Sequence, residues 1–249
     1  YQDVYDTDKF KAKNKVEEGK EQKYPIHNLV YDFETFALEA NGDEIVYAVG
    51  AYYVEADNYM TFYGKDALSD FMDFIKFMNE KNIGFNLISY NGSGFDHYFI
   101  YHYCLDNEVE FKQQPLMNGG RILQIAFWKN RSFDLYLFTT PNSLDSCLSG
   151  FKIKEIAKGV FPHNFPVKWE DVYYKGAGLS RDMYPKGMLK KIDDETKPWA
   201  NIPDYFDFKQ ECLLYLKSDV MGLYQVYDKM RLELIEITGV DFRSYLTIS

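Results

Sequence analysis

Cysteine and histidine are scarce in this chain, with three of the first and four of the second among 249 residues. Cys104, Cys147 and Cys212 are odd in number and widely spaced, which excludes a disulfide-stapled scaffold and points to reduced, intracellular thiols. His27, His97, His102 and His163 do not gather around them, so no structural zinc site is expected. Long apolar runs are missing too. Nothing approaches the roughly 18 residues that a membrane-spanning helix requires, and the N-terminus is not built like a signal peptide, so a soluble protein with no membrane partner is expected. Positive charge is in deficit: 28 Lys and Arg face 38 Asp and Glu, a net charge of −10. That balance argues against a free-standing protein that grips phosphate backbones tightly, because such affinity comes mainly from Lys and Arg. It leaves room for a metal-dependent site that concentrates carboxylates while basic surface is supplied elsewhere in a larger protein. The chain starts at Tyr1 rather than Met and stops at "SYLTIS", as expected of a fragment.

Apolar residues make up an ordinary 46%, but the aromatic load is unusual: 22 Tyr, 20 Phe and 3 Trp. The first implies a real buried core; most rings fill it, and some are available as stacking platforms for bases. The length suits one large α/β domain. Residues 1–24 are polar and aperiodic, an arm or linker. From His27, "HNLVYDFE" alternates as a strand, and "EIVYAVGAYYVE" and "YMTFYG" follow as two more, with the first turn at Asn41-Gly42. Leu68, Phe71, Met72, Ile75 and Met78 then recur with helical spacing. "IGFNLISY" reads as a buried strand, and the glycine loop "NGSG" leads into a second helix, in which Phe95, Phe99, His102 and Tyr103 share one face. "EFKQQPLMNGGRILQIAFWKNRSFDLYLF" carries turn signals at Asn118-Gly119 and Lys129-Asn130 and reads as strands with a hairpin. Short helical stretches follow near residues 143–148 and 152–158. Residues 159–203 hold five of the eight prolines and read as an irregular excursion. A long amphipathic helix runs from Phe208 to Ile237, with Asp207 and Gln210 placed for a capping box. The order is that of a mixed sheet flanked by helices, an α/β fold.

Three acidic positions stand out in this frame. Asp32 and Glu34 in "YDFET" lie two apart on a strand and project to one face, while Phe33 points to the other. Two like charges side by side are best tolerated where a cation sits between them, although an exposed strand face explains such a pair as well. Asp96 follows the glycine loop at a helix start, where the helix dipole alone would favour an acid. Beside it, Asn91 offers a donor and an acceptor, and Phe95 an aromatic face that core packing also explains. Tyr215 and Asp219 are spaced i, i+4, one turn apart on one helix face; a plain surface hydrogen bond has the same signature. Together, a strand-end pair, a helix-start acid and a late-helix acid weigh more than each alone.

In combination, "YDFET", "YNGSGFD" and "YLKSD" resemble the three exonuclease motifs of the DnaQ-like, RNase H-like four-carboxylate superfamily, in the tyrosine-bearing form used by family B DNA polymerases. The resemblance spans residues 28–228. Thr35, "NSL" with Ser143-Leu144, and "KGVF" from Lys158 to Phe161 narrow it to the protein-primed branch of phages, adenovirus-like elements and linear plasmids. The resemblance implies an RNase H-like α/β exonuclease fold over residues 25–249. It also implies a 3′→5′ proofreading exonuclease of a DNA polymerase, releasing 5′-mononucleotides from single-stranded or frayed 3′ ends with two divalent cations, Mg²⁺ or Mn²⁺. Asp32, Glu34, Asp96 and Asp219 would be the metal ligands, and Tyr215 would orient the attacking water or the phosphate. Lys158 would assist at the phosphate, with Lys168 as its competitor. Thr35, Asn91, Phe95, Ser143 and Leu144 would hold the DNA. The partners implied are a single-stranded DNA 3′ terminus, a polymerase domain in the same chain and a terminal protein, in a host cytoplasm or mitochondrion. Two rivals predict different behaviour. A catalytically silent domain of the same fold would only guide primer DNA or a terminal protein; a glycoside hydrolase using a carboxylate pair would need no metal, Asp219 or Tyr215.

Overall fold

Alternating apolar residues build three antiparallel strands at the start of the fold, in a computed structural model that describes residues 25–140, 142–153, 160–192 and 203–244. β1 (Ile26–Ala37) pairs with β2 (Glu44–Tyr53), and β2 with β3 (Asn58–Tyr63). The period of two divides β1 between two cores: Leu29, Tyr31 and Phe33 join one buried cluster, Val30 and Phe36 the other. Helix α1 (Ala67–Glu80) buries Ala67, Phe71, Met72 and Ile75 in the Tyr31 cluster. Its last turn is fixed by polar contacts. The buried amides of Asn79 and Asn130 exchange hydrogen bonds of 3.0 Å each, and Asn130 Oδ1 also accepts from the Phe85 backbone N–H at 3.0 Å.

The wholly buried β4 (Gly84–Ser89) runs parallel to β1. Helix α2 (Asp96–Asp106) follows, and then a separate hairpin, β5 (Leu116–Asn118) and β6 (Arg121–Gln124), that turns through Gly119 and Gly120 at positive φ. β7 (Ala126–Phe127) and β8 (Asn130–Asp134) return to the main sheet, whose order is β3-β2-β1-β4-β8-β7. β8 is parallel to β4; β7 is antiparallel to β8. Two short helices, α3 (Tyr136–Thr139) and α4 (Leu144–Gly150), lead to a two-stranded ribbon of β9 (Lys175–Ala177) and β10 (Tyr205–Asp207), with α5 (Lys186–Ile192) between its strands. Helix α6 (Phe208–Thr238) then lies on the Val30 face of the sheet. Asp207 caps it by accepting from the Gln210 backbone N–H at 3.1 Å, as expected, and Gly239 ends it in the left-handed conformation.

Three expectations are corrected. The buried face of α2 is Asp96, His97, Ile100 and Cys104, while Phe95 and His102 are exposed. His97 is tolerated inside because its Nδ1 lies 2.7 Å from the Ile122 carbonyl oxygen. The turn expected at Lys129-Asn130 falls instead at Trp128 and Lys129, with Trp128 at φ 46, because Asn130 is already in β8 supplying the buried amide pair. The excursion is less irregular than its prolines suggest: the described part contains β9 and α5 and gives Phe161, Val172, Leu179, Tyr184 and Ile192 to the α6 core. The N-terminal arm and Lys158 lie outside the described residues. No described helix is long and apolar enough to cross a membrane.

Candidate active site

The site forms where β1 passes beneath α6. Asp32 and Glu34 alternate with the buried Tyr31 and Phe33, and so share the α6 face. Asp32 is paired across the ladder with Gly50, and Glu34 with Ala48. The small partners matter. A Cβ on Gly50 would stand 2.7 Å from Leu216 Cγ and 3.0 Å from Val220 Cγ2, so bare backbone is what lets α6 settle there. That approach carries Tyr215 and Asp219 to the strand acids. The ladder register also shifts between Glu34 and Thr35, a bulge of the kind that re-aims side chains beside functional sites.

Asp96 arrives from a neighbouring strand end. Because β4 is parallel to β1, the loop after β4 opens on the same side of the sheet; it passes through Asn91 at φ 63 and the turn Gly92–Gly94 before α2 begins at Asp96. Asp96 is buried, and its Oδ1 has no hydrogen-bond partner among the described residues. Burial, with the charges of Asp134 and Glu34, pushes its carboxyl up to about 7, while hydrogen bonding from its own backbone and from Phe33 offsets part of the rise.

On α6 the Tyr215 phenol hydrogen-bonds the Asp219 carboxyl one turn away. Its ring stacks on Phe161 with centroids 5.2 Å apart and meets the His163 ring edge-on at 5.2 Å. Burial, then the charges of Asp219, Glu34 and Asp32, raises the phenol well above the usual tyrosine range, so Tyr215 remains a donor.

Asp32, Glu34, Thr35, Phe95, Tyr215 and Asp219 line one cleft of about 650 Å³. Phe95 is 38% exposed and rests edge-on against Phe99, which removes core packing as the reason for its ring. Asn91 lies at the loop beside the cleft rather than in its lining. Ser143 and Leu144 are not in the lining either: Ser143 caps α4, accepting from the Ser146 backbone N–H at 3.2 Å, and Leu144 is buried. Lys168 is exposed outside the lining.

The sequence reading missed His163, whose Nδ1 lies 3.3 Å from Glu34 Oε2, and the pair Arg121 and Asp134, which brace the Asn91 loop. In the sequence His163 stands apart from the cysteines and the acidic motifs, and "FPHNFP" has no period to show that it folds back on β1. A backbone bond from Glu39 N–H to the Val167 carbonyl, 3.0 Å, makes that return.

Among the described residues, no three His, Cys, Asp or Glu side chains form a ready-made metal cage. The donor set still fits a hard divalent cation: the carboxyl groups of Asp32, Glu34 and Asp219 line the cleft, and Asp96, outside that lining, has a buried Oδ1 with no hydrogen-bond partner among the described residues and a carboxyl close enough to Glu34 for the two charges to interact.

Residues 76–249 match the model of the family described as DNA polymerase type B, organellar and viral. The chain belongs to this family. The match takes in Asp96, Tyr215 and Asp219 and begins after the strand that carries Asp32 and Glu34. Among curated proteins, this type B polymerase chain is 29% identical over 188 residues to a probable DNA polymerase of Neurospora intermedia, covering 70% of this chain and 19% of that protein. It is 27% identical over 172 residues to a probable DNA polymerase of Agaricus bitorquis, covering 68% and 21%. It therefore spans about a fifth of the length of these relatives. Phi29 DNA polymerase complexed with primer-template DNA shares its fold over 87% of this chain and 32% of that one, with a TM-score of 0.55 and 15% identity. The same polymerase complexed with single-stranded DNA gives 0.52 and 16% over the same shares. The family match bears out the resemblance to family B DNA polymerases, and the shared fold bears out the mixed sheet flanked by helices.

Proposed function

We propose that this chain is a metal-dependent 3′→5′ exonuclease that removes 5′-mononucleotides from single-stranded or frayed DNA 3′ ends, the proofreading part of a DNA polymerase, with residues 25–249 as its exonuclease domain. What supports the reading is that Asp32 and Glu34 from β1 and Tyr215 and Asp219 from α6 line one cleft, while Asp96 at the start of α2, outside that lining, lies near enough to Glu34 for their charges to interact. Asp32, Glu34, Asp96 and Asp219 would hold two divalent cations, Mg²⁺ or Mn²⁺, which supply the Lewis acidity that phosphodiester hydrolysis needs.

The other residues have roles that follow from their surroundings. Tyr215, kept protonated by burial and pinned between Phe161 and Asp219, is a donor that orients the attacking water or a phosphate oxygen rather than a base. Phe95 presents a ring on which the terminal base stacks, with Thr35 beside it, and Asn91, Ser143 and Leu144 hold the strand farther out. Lys158 assists at the phosphate, with Lys168, exposed next to the cleft-lining Val167, as its competitor. A cleft of about 650 Å³ is of nucleotide size, so a duplex end must open before its last nucleotide reaches Asp32. Mispaired ends open more readily, which makes such a site a proofreader. The partners are then a DNA 3′ terminus, a polymerase domain of the same protein and a terminal protein. Oligothymidine labelled at its 5′ end is the test: a ladder shortening from the 3′ end in Mg²⁺, abolished by EDTA and restored by Mg²⁺, supports the reading. Intact oligothymidine in both Mg²⁺ and Mn²⁺ overturns it.

A further inference from the structure

A loop of sequence Asn-Gly-Ser-Gly would by itself be loose, since two glycines leave the backbone many conformations. Here two polar side chains brace it. From beneath, the buried Asp134 at the end of β8 accepts from the Asn91 backbone N–H at 2.8 Å, the Ser93 backbone N–H at 3.0 Å and the Ser93 hydroxyl at 2.6 Å. From the side, Arg121 on β6 donates from Nη2 to Asn91 Oδ1 at 2.6 Å and to Ser93 Oγ at 2.8 Å, and from Nε to Ser93 Oγ at 3.0 Å. Its guanidinium lies 5.4 Å over the Tyr136 ring and 3.8 Å from Asp134 Oδ2. Gly94 gives it room: a Cβ there would come within 3.1 Å of Nη1.

Arginine has only donors, so the Asn91 oxygen must face it, and what Asn91 has left to offer is its NH₂ group. We infer that Arg121 is a positioning residue for DNA: it fixes the Asn91 loop before the strand arrives and presents the Asn91 amide as a donor to an acceptor atom on that strand. The inference rests on the strand-holding role given to Asn91 above, and goes beyond it by assigning the donor sense and the residue that sets it.

The experiment combines hydrogen–deuterium exchange with binding of oligothymidine in EDTA, where hydrolysis cannot intervene. Arg121→Ala should speed exchange at Gly92–Phe95 while leaving β4 protected, and should weaken binding by roughly tenfold, the worth of about one lost hydrogen bond. Asn91→Ala should weaken binding to a similar degree, and the double variant should lose no more than either single one. Arg121→Lys should bind like Arg121→Ala, because one ammonium cannot span Asn91 and Ser93 as a planar fork does. Unchanged exchange in Arg121→Ala, additive losses in the double variant, or wild-type binding by Arg121→Lys each overturns the inference while the strand-holding reading stands. A wild-type chain that does not bind oligothymidine overturns both.

Discussion

Gly50 stands opposite Asp32 across β1 and β2, and Leu216 and Val220 of α6 occupy the space where its side chain would go. The contact sets the height of α6 over the sheet, and so the distance from Asp219 to the strand acids. Gly50→Ala is expected to cost about 1–3 kcal/mol of stability through overpacking. It should also lower hydrolysis in the folded fraction, because lifting α6 moves Tyr215 and Asp219 together. Denaturant melts paired with turnover assays check this, and a stable, fully active variant contradicts it.

Tyr215→Phe removes one hydroxyl and leaves the ring stacked on Phe161. Turnover should fall by roughly 10²-fold, the scale of one lost donor to a developing charge, with little change in melting temperature. Mg²⁺ affinity by calorimetry should be largely kept, since the acids remain; loss of metal binding would make the phenol part of the ligand shell instead.

Phe95 is exposed at the cleft and rests on Phe99. Phe95→Ala should therefore weaken single-strand binding by about 1–3 kcal/mol, the worth of a base–aromatic stack, at a nearly constant melting temperature. A stability loss of roughly 3–5 kcal/mol, as for a buried Phe, would show that the ring belongs to the core.

Asn130→Ala tests the frame apart from the chemistry. It would strand the Phe85 backbone N–H in the interior, at a cost of about 1–3 kcal/mol, while the Asn79 amide keeps its bonds to Ile75, Ile83 and Lys129. Because this pair joins α1 to β8 away from the cleft, kcat measured well below the melting temperature should be unchanged. A parallel drop in kcat would show that the Asn79 end of the sheet governs the site.

The acids could be read from the sequence because each signal is local. Asp32 and Glu34 follow from a period of two, Tyr215 and Asp219 from a spacing of four, and the capping Asp207 from its place before an apolar helix. The α2 face could not be read, since "FDHYFIYHYCL" is aromatic all round and its period is flat; what decided the face was His97 finding the Ile122 carbonyl. Arg121, Asp134 and His163 were hidden for a related reason. The site residues they hold, Asn91, Ser93 and Glu34, are 28 to 129 residues away in sequence, so only the pairing of β8 with β4 and the return of the excursion to β1 bring them in.

The most direct test of the four-carboxylate account is the rate of Mg²⁺-dependent release of 5′-mononucleotides from the 3′ end of oligothymidine, compared between the wild-type chain and Asp32→Ala at equal folded fraction. The wild type should shorten the strand stepwise and the variant not at all, with the variant's fold intact because Asp32 is only half-buried, at the cleft. Shortening by Asp32→Ala at the wild-type rate would contradict it.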